Sequence, residues 1–295
     1  MRVTTSQLYD NLLAGVQKQL SIQSSGNEQI TSGTRFQTPA QAALDYRISL
    51  DIRHAQMGVT GGLEGTTIVE SRLSISQNNL NSMTNNFTRL KTLAVQQASG
   101  QLSVADRQAA LSEVGHLKTA FLNAANQKWE GQALFAGTAV DKDAFVADPL
   151  SPSGYSYNGS TQDRIVTISD TQQIISNVRG DAPAFALAFQ TIRDFETALQ
   201  NNDSAALQNA VGSLTDASNA LIDLTADVGA RLSALSYTTN AFNDMKTHLD
   251  IRLNTHEGVD VAAVVTQLQQ SEIALQASYN QISKLQSLSL VNFLR

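Results

Sequence analysis

Residues 214–249 read LTDASNALIDLTADVGARLSALSYTTNAFNDMKTHL. Within them Leu214, Ala217, Leu221, Leu224, Val228, Arg231, Leu235, Thr238, Phe242, Met245 and Leu249 recur in alternating steps of three and four. Sustained over about five heptads, with polar lapses at Arg231 and Thr238, this spacing predicts one long helix with a single apolar seam. A seam of that length needs partners, so the rest of the chain is expected to supply other helices.

It does. Val69, Leu73, Ser76, Leu80, Met83, Phe87, Leu90 and Ala94 repeat the pattern, as do Ala110, Val114, Leu117, Phe121 and Ala124. A last series runs Val261, Val265, Leu268, Leu275, Ile282 and Leu285. Proline, which stops helices, occurs only at Pro39, Pro149, Pro152 and Pro183 and so leaves room for long ones. Ser103 three residues before Asp106 reads as a capping box with Asp in place of Glu. Gly100 suits the end of the preceding helix, and Asp260 suits an N-cap for the last one. Gly58, Gly61, Gly62 and Gly65 fit either a close-packing face or a flexible joint; glycine's entropic cost in a helix favours the joint.

Between about 132 and 183 the text changes. Leu134-Phe135-Ala136-Gly137-Thr138 reads as a strand entering a turn, and residues 148–154 as loop. Tyr155-Ser156-Tyr157 and residues 164–168 have strand character and flank Asn158-Gly159, a favoured tight-turn dipeptide. The fold expected is mainly α: a long-helix bundle or coiled coil formed by both chain ends, with a small β-rich inserted domain. Its parts are residues 1–131, the insert 132–183, and residues 184–295. The first and last helices, over about 5–30 and 261–293, should lie side by side.

Composition narrows the function. The chain of 295 residues is 42% hydrophobic but only 16% charged, well below the roughly 25% of ordinary soluble domains. Gln, Asn, Ser and Thr fill the gap, and a surface poor in charge repels copies of itself weakly. Net charge is −6 with no Lys/Arg run, which argues against nucleic acid. The absence of cysteine removes disulfides, thiolate metal sites and cysteine nucleophiles. No apolar stretch approaches a bilayer span, and the first residues lack an apolar signal core.

No constellation for catalysis, cofactor or metal emerges. His54, His116, His248 and His256 lack ligand spacing. Gly61-Gly62-Leu63-Glu64-Gly65 has no preceding strand and no following Lys, so it is weak as a phosphate cradle and reads better as a helix joint. Asp141, Asp143 and Asp148 lack the order of a calcium loop, and Trp129 reads as a packing anchor. A non-enzymatic subunit is expected. Its candidate interface residues are Leu8, Leu12, Val16 and Leu20 on the first helix and Leu268, Leu275, Ile282 and Leu285 on the last.

Specific residues resemble the bacterial flagellin superfamily and, within it, the hook–filament junction subunits. They are Arg2-Val3-Thr4-Thr5 with Tyr9, Gln29-Ile30-Thr31-Ser32-Gly33 with Arg35, residues 93–98 with Leu102-Ser103 and Asp106-Arg107, and Ala124-Ala125-Asn126. They continue with Gly131 and Leu134-Phe135-Ala136-Gly137-Thr138, Phe145, Tyr157-Asn158-Gly159, and the C-terminal Leu275-Gln276-Ala277-Ser278-Tyr279, Ile282-Ser283-Lys284-Leu285 and Leu288-Ser289-Leu290. Two departures stand out. Pro39-Ala40-Gln41-Ala42-Ala43 replaces the family's P-S-D-D-P, losing both acids, and Ala133 stands where the family prefers Tyr.

The resemblance implies an extracellular flagellar subunit serving motility and exported by the type III route without a cleaved signal. Its implied partners are hook-associated protein one, flagellin, copies of itself and an export chaperone, with no nucleic acid and no membrane insertion. Flagellin itself is the alternative, and a type III secreted effector or translocator a more distant one. Terminal helices of this kind are expected to stay mobile until partners order them.

Overall fold

The computed structural model describes residues 5–98, 103–169 and 172–293. Its elements in chain order are α1 (Thr5–Ser32), α2 (Ala43–Gln97), α3 (Val104–Ala125), β1 (Lys128–Trp129), β2 (Gln132–Ala133), β3 (Phe145–Ala147) and β4 (Tyr155–Tyr157). β5 (Ile165–Ser169), β6 (Gln172–Ile175), α4 (Pro183–Gln200), α5 (Ser204–Glu257) and α6 (Val261–Phe293) complete the chain. The mainly helical class with a small inserted β region is as expected. Arg2-Val3-Thr4, Gly100 and Leu102 lie outside the described residues. The chain divides into two compact units, one of residues 1–57 and 246–295, the other of residues 58–245.

Helix ends follow local chemistry. Ser103 Oγ accepts from the Asp106 N–H at 3.2 Å while Asp106 Oδ2 accepts from the Ser103 N–H at 3.1 Å, the reciprocal box expected for α3. That hydroxyl and that N–H hold the Asp106 carboxyl below its usual pKa. Asp260 Oδ1 accepts from Ala263 N–H at 3.1 Å and caps α6. Asp203 does the same for α5 through Ala205 and Ala206, each at 3.0 Å. Pro183 opens α4, where its fixed φ suits the first turn and its missing N–H costs nothing.

In the unit of residues 58–245 the core runs along the seams. All eight residues of the series from Val69 to Ala94 are buried, Ser76 included. Leu214, Ala217, Leu221, Val228 and Leu235 of α5 are buried as well, whereas Met245, near the end of the series, is exposed. The unforeseen α4 turns Phe185, Phe189, Ile192 and Phe195 inward at helical spacing. Phe121 stacks edge-on between Phe87 and Phe189, with ring centroids 5.5 and 4.9 Å away.

The β region is three separate antiparallel pairs, β1–β2, β3–β4 and β5–β6. β1 and β2 are joined through Glu130 and Gly131, both at positive φ (50° and 77°), as tight hairpins prefer. Two local expectations are corrected. Leu134–Thr138 is a bend and turn, buried from Leu134 to Gly137, not a strand. Its backbone is engaged by scattered donors: Gly180 N–H and the Tyr157 hydroxyl both reach the Phe135 carbonyl, at 2.7 and 3.2 Å, and Ser160 N–H reaches Ala136 at 2.9 Å. Gly137 turns with φ 63°, and an added Cβ would collide with the Ser160 carbonyl.

Asn158-Gly159 does not join paired strands either, since β4 pairs with β3 and β5 with β6. Gly159 is a point of close approach instead, and a Cβ there would strike the Tyr157 hydroxyl and the Ala136 backbone. The glycine run in α2 resolves similarly. The helix continues through Gly58–Gly65, and the division between the two compact units falls at Gly58. A Cβ on Gly62 would lie 2.6 Å from the Ile168 carbonyl oxygen, and one on Gly65 3.2 Å from the Ile168 side chain. Two of the four glycines therefore serve close packing against β5.

Trp129 is partly buried beneath Arg72, whose guanidinium lies 5.9 Å from the ring centroid. Arg72 is itself buried. It donates to the Ala133 carbonyl at 2.9 Å and approaches Gln132 Oε1 at 3.5 Å, while Arg164 donates to the same oxygen at 2.6 Å. Burial, and then the like charge of Arg164, pull the Arg72 pKa down to about 10.

Candidate assembly interface on the paired terminal helices

The unit of residues 1–57 and 246–295 contains α1, α6, the first turns of α2 and the last turns of α5. α1 and α6 pack against each other. On α6 the inward residues are Val264, Leu268, Ser271, Leu275, Ser278, Ile282 and Leu285, an unbroken alternation of four and three. Val264, Ser271 and Leu275 are buried, and the others are half-buried.

Opposite them α1 presents Leu12, Val16, Gln19, Ile22 and Gly26. Gly26 admits Leu268: a Cβ there would come within 2.7 Å of a Leu268 methyl. Ser271 Oγ donates to the Gln19 carbonyl at 3.1 Å and fixes the helices' axial register. A groove of about 250 Å³ runs beside this contact, bordered by Ile22, Gly26, Val264 and Leu268.

The connection between α1 and α2 is tied to the α5–α6 joint. Thr34 bridges Gly258, Arg35 N–H donates to the Glu257 carbonyl at 2.7 Å, and the Arg35 guanidinium reaches the His256 carbonyl. Arg53 pairs with Glu257 at 2.6 Å, and that bond lifts the Arg53 pKa. Gln56 donates to Asp250 at 2.6 Å.

The eight candidate interface residues separate into three groups. Val16 and Leu275 are buried in the α1–α6 seam, each 6% exposed. Leu12, Leu268, Ile282 and Leu285 are half-buried along it. Leu8 and Leu20 stand in solvent, at 43% and 48% exposure. Sequence reasoning missed exposed Tyr9 and Leu13 on α1, and Ile273 and Tyr279 on α6. Leu13 and Leu20 are seven apart and share one face, a spacing that was there to be read. It also took Val261 and Val265 as the start of the last seam. Both are exposed, and Val264 occupies the seam because it is four residues before Leu268.

Charge is scarce here. α1 carries Asp10, Lys18 and Glu28, and α6 carries Glu272 and Lys284. Among the described residues no group of three His, Asp or Glu side chains could hold a metal, and no helix is long and apolar enough to cross a membrane. The pair thus keeps an apolar flank in water with little charge to repel a similar surface.

A chain whose first and last helices pack against each other, and whose middle folds into a helical body bearing small hairpins, is a class of architecture with known members. The bacterial flagellin N-terminal helical region matches residues 3–140, and the bacterial flagellin C-terminal helical region matches residues 211–294. Flagellar hook-associated protein 3 of Salmonella typhimurium is 21% identical over 317 residues, covering 98% of each chain. FlgL of Bacillus cereus has a similar fold, with a TM-score of 0.61 at 20% identity over 69% of this chain and 99% of that one. The flagellar junction protein FlgL of Legionella pneumophila gives 0.58 at 16% identity over 77% and 100%. The two flagellin regions together span about three quarters of the sequence, and the chain belongs to the bacterial flagellin family.

Proposed function

We propose that this chain is a non-enzymatic structural subunit of the bacterial flagellum that joins hook to filament, polymerising through α1 and α6. The observation that carries this reading is the apolar flank left by the α1–α6 pair, on a chain similar from end to end to hook-associated protein 3. Leu8 and Leu20 reach neighbouring subunits directly. Leu12, Leu268, Ile282 and Leu285 complete their burial there, and Val16 and Leu275 hold the pair that presents them. The neighbours are hook-associated protein one on the hook side, flagellin on the filament side, and copies of this chain within the layer. The route to that place is type III export in an unfolded state, with a chaperone covering the C-terminal helix and no signal cleaved.

Ending the chain before Val261 tests the reading. Removal of α6 is expected to leave a folded, soluble body of residues 58–245, seen as a retained cooperative melt, that supports neither filament growth nor swimming. Normal motility from that truncation would sink the proposal. Copy number separates the alternative: a few copies per flagellum fit a junction subunit, and abundance in the sheared extracellular fraction fits flagellin.

A further inference from the structure

Two arginines of the body share one oxygen that carries no charge. Arg72 belongs to α2 and is only 1% exposed, while Arg164 immediately precedes β5 and is half-buried. Both reach Gln132 Oε1 on β2, Arg164 at 2.6 Å and Arg72 at 3.5 Å. The Ala133 carbonyl accepts from a second Arg72 nitrogen at 2.9 Å, and the Trp129 ring lies 5.9 Å from the guanidinium carbon. Arg72 Nε–H, also buried, meets no acceptor among the described residues.

A buried charge ordinarily has an opposite charge beside it, because leaving water uncompensated is costly. Elsewhere the body follows that rule. Arg89, Lys118, Lys128, Arg179 and Arg231 each have a carboxylate oxygen within 3.5 Å. Among the described residues no carboxylate pairs with Arg72 or Arg164. Burial, and then the like charge of Arg164, hold the Arg72 pKa down with no acid to offset them. At the focus of the two guanidinium groups stands an amide oxygen, where an ionised oxygen would bind more strongly. Gln132 is half-buried, so its side chain can turn out to solvent and free that position.

We propose that this cluster of donors is an oxyanion site. A carboxylate or an inorganic oxyanion places one oxygen where Gln132 Oε1 now lies, between Arg72 and Arg164, as the Gln132 side chain swings aside. Gln132 holds the place when no anion is bound. The site lies within the body and does not depend on how α1 and α6 assemble.

Trp129 is the chain's only tryptophan, so its emission reports on the guanidinium above it. The full chain is titrated with sodium sulfate, and separately with sodium acetate, at an ionic strength held constant with sodium chloride. A saturable shift in emission is expected from at least one of the two. Arg164→Gln removes the half-buried arginine and leaves Arg72 in place, and should weaken the apparent affinity about ten- to a hundred-fold. Gln132→Glu supplies a carboxylate of its own and should abolish the response. Lys128→Gln removes a nearby charge that is already paired with Asp143, and should leave the response unchanged. Circular dichroism melts establish that each variant is folded.

A shift that grows linearly without saturating would overturn the proposal. Full affinity in Arg164→Gln, or loss of the response in Lys128→Gln, would also overturn it. Should Arg164→Gln fail to fold, Gln132→Glu decides, and a response that persists there refutes the site. Concentrating the parent chain without added anion separates the two sources of the oxygen. A change in emission that sulfate competes away assigns it to a carboxylate of a second copy, and a constant emission assigns the site to a free anion.

Discussion

Replacing Leu8, Leu13 and Leu20 together by Gln should abolish assembly while leaving the isolated molecule intact. Gln matches Leu closely in helix propensity, so α1 itself is little affected. The three side chains are 43%, 42% and 48% exposed, so a partner has a little over one whole leucine left to bury. At about 1.5–3 kcal/mol per leucine, that surface contributes roughly 2–4 kcal/mol to each subunit added. Every 1.4 kcal/mol is tenfold, so the variant should bind about thirty- to several-hundred-fold more weakly. The assay is competition: parent and variant are co-expressed at equal levels, flagella are sheared and washed, and mass spectrometry reads the ratio. Depletion of the variant by that factor, with an unchanged melting curve for the isolated chain, is the expected result. Equal incorporation would refute the role of the α1 flank. A lowered melting temperature would show that the leucines serve the chain's own core.

Arg72 and Arg164 converge on a neutral amide oxygen, so Gln132→Glu should supply the missing countercharge without changing shape. A stabilisation of about 1–2 kcal/mol is expected, seen as a rise in the melting temperature of the body, and no rise would show that the backbone carbonyl and Trp129 already satisfy Arg72. Acid should loosen the start of α3. The Asp106 carboxyl titrates below its ordinary value, so its contribution is fully present above about pH 4 and is lost as pH falls through the lowered folded value. Amide exchange at the first turn of α3 should rise over that acidic window in the parent chain and become insensitive to it in Asp106→Asn. Ser103→Ala should return the Asp106 pKa toward normal, and an unmoved value would remove the hydroxyl as the cause.

Much of the body was legible because its helices obey a period that survives polar substitution. Ser76 sits in the α2 seam as firmly as Leu73 and Leu80, and the alternation of four and three revealed it without regard to hydrophobicity. The same rule, applied too loosely, misplaced the start of the α6 seam, where Val261, Val264 and Val265 are chemically equivalent and only register to Leu268 decides. The β region was harder. Leu134-Phe135-Ala136 has strand composition, yet its carbonyls serve donors from residues 157, 160 and 180, contacts that no local pattern announces. Glycine was ambiguous for a related reason. At Gly62 the demand for a missing Cβ comes from Ile168 and Phe242, far along the chain, and at Gly159 it comes from neighbouring Tyr157 together with distant Ala136. The candidate interface was half legible: periodicity found the apolar positions on α1 and α6, but it could not say which of them the two helices would spend on each other.

The seam between α1 and α6 also sets a clock. Ser271 and Gln19, joined by one hydrogen bond, are 252 residues apart in the chain. At translation rates of about 5–20 residues per second, roughly 12–50 s elapse between the emergence of one and the other. Throughout that interval the leading rod has no mate on its own polypeptide, and the trailing rod, once made, must find a mate that has been waiting since the start of synthesis. Closure of this pair therefore waits on synthesis of the whole span between them, and anything that engages either rod within that interval acts before they can meet.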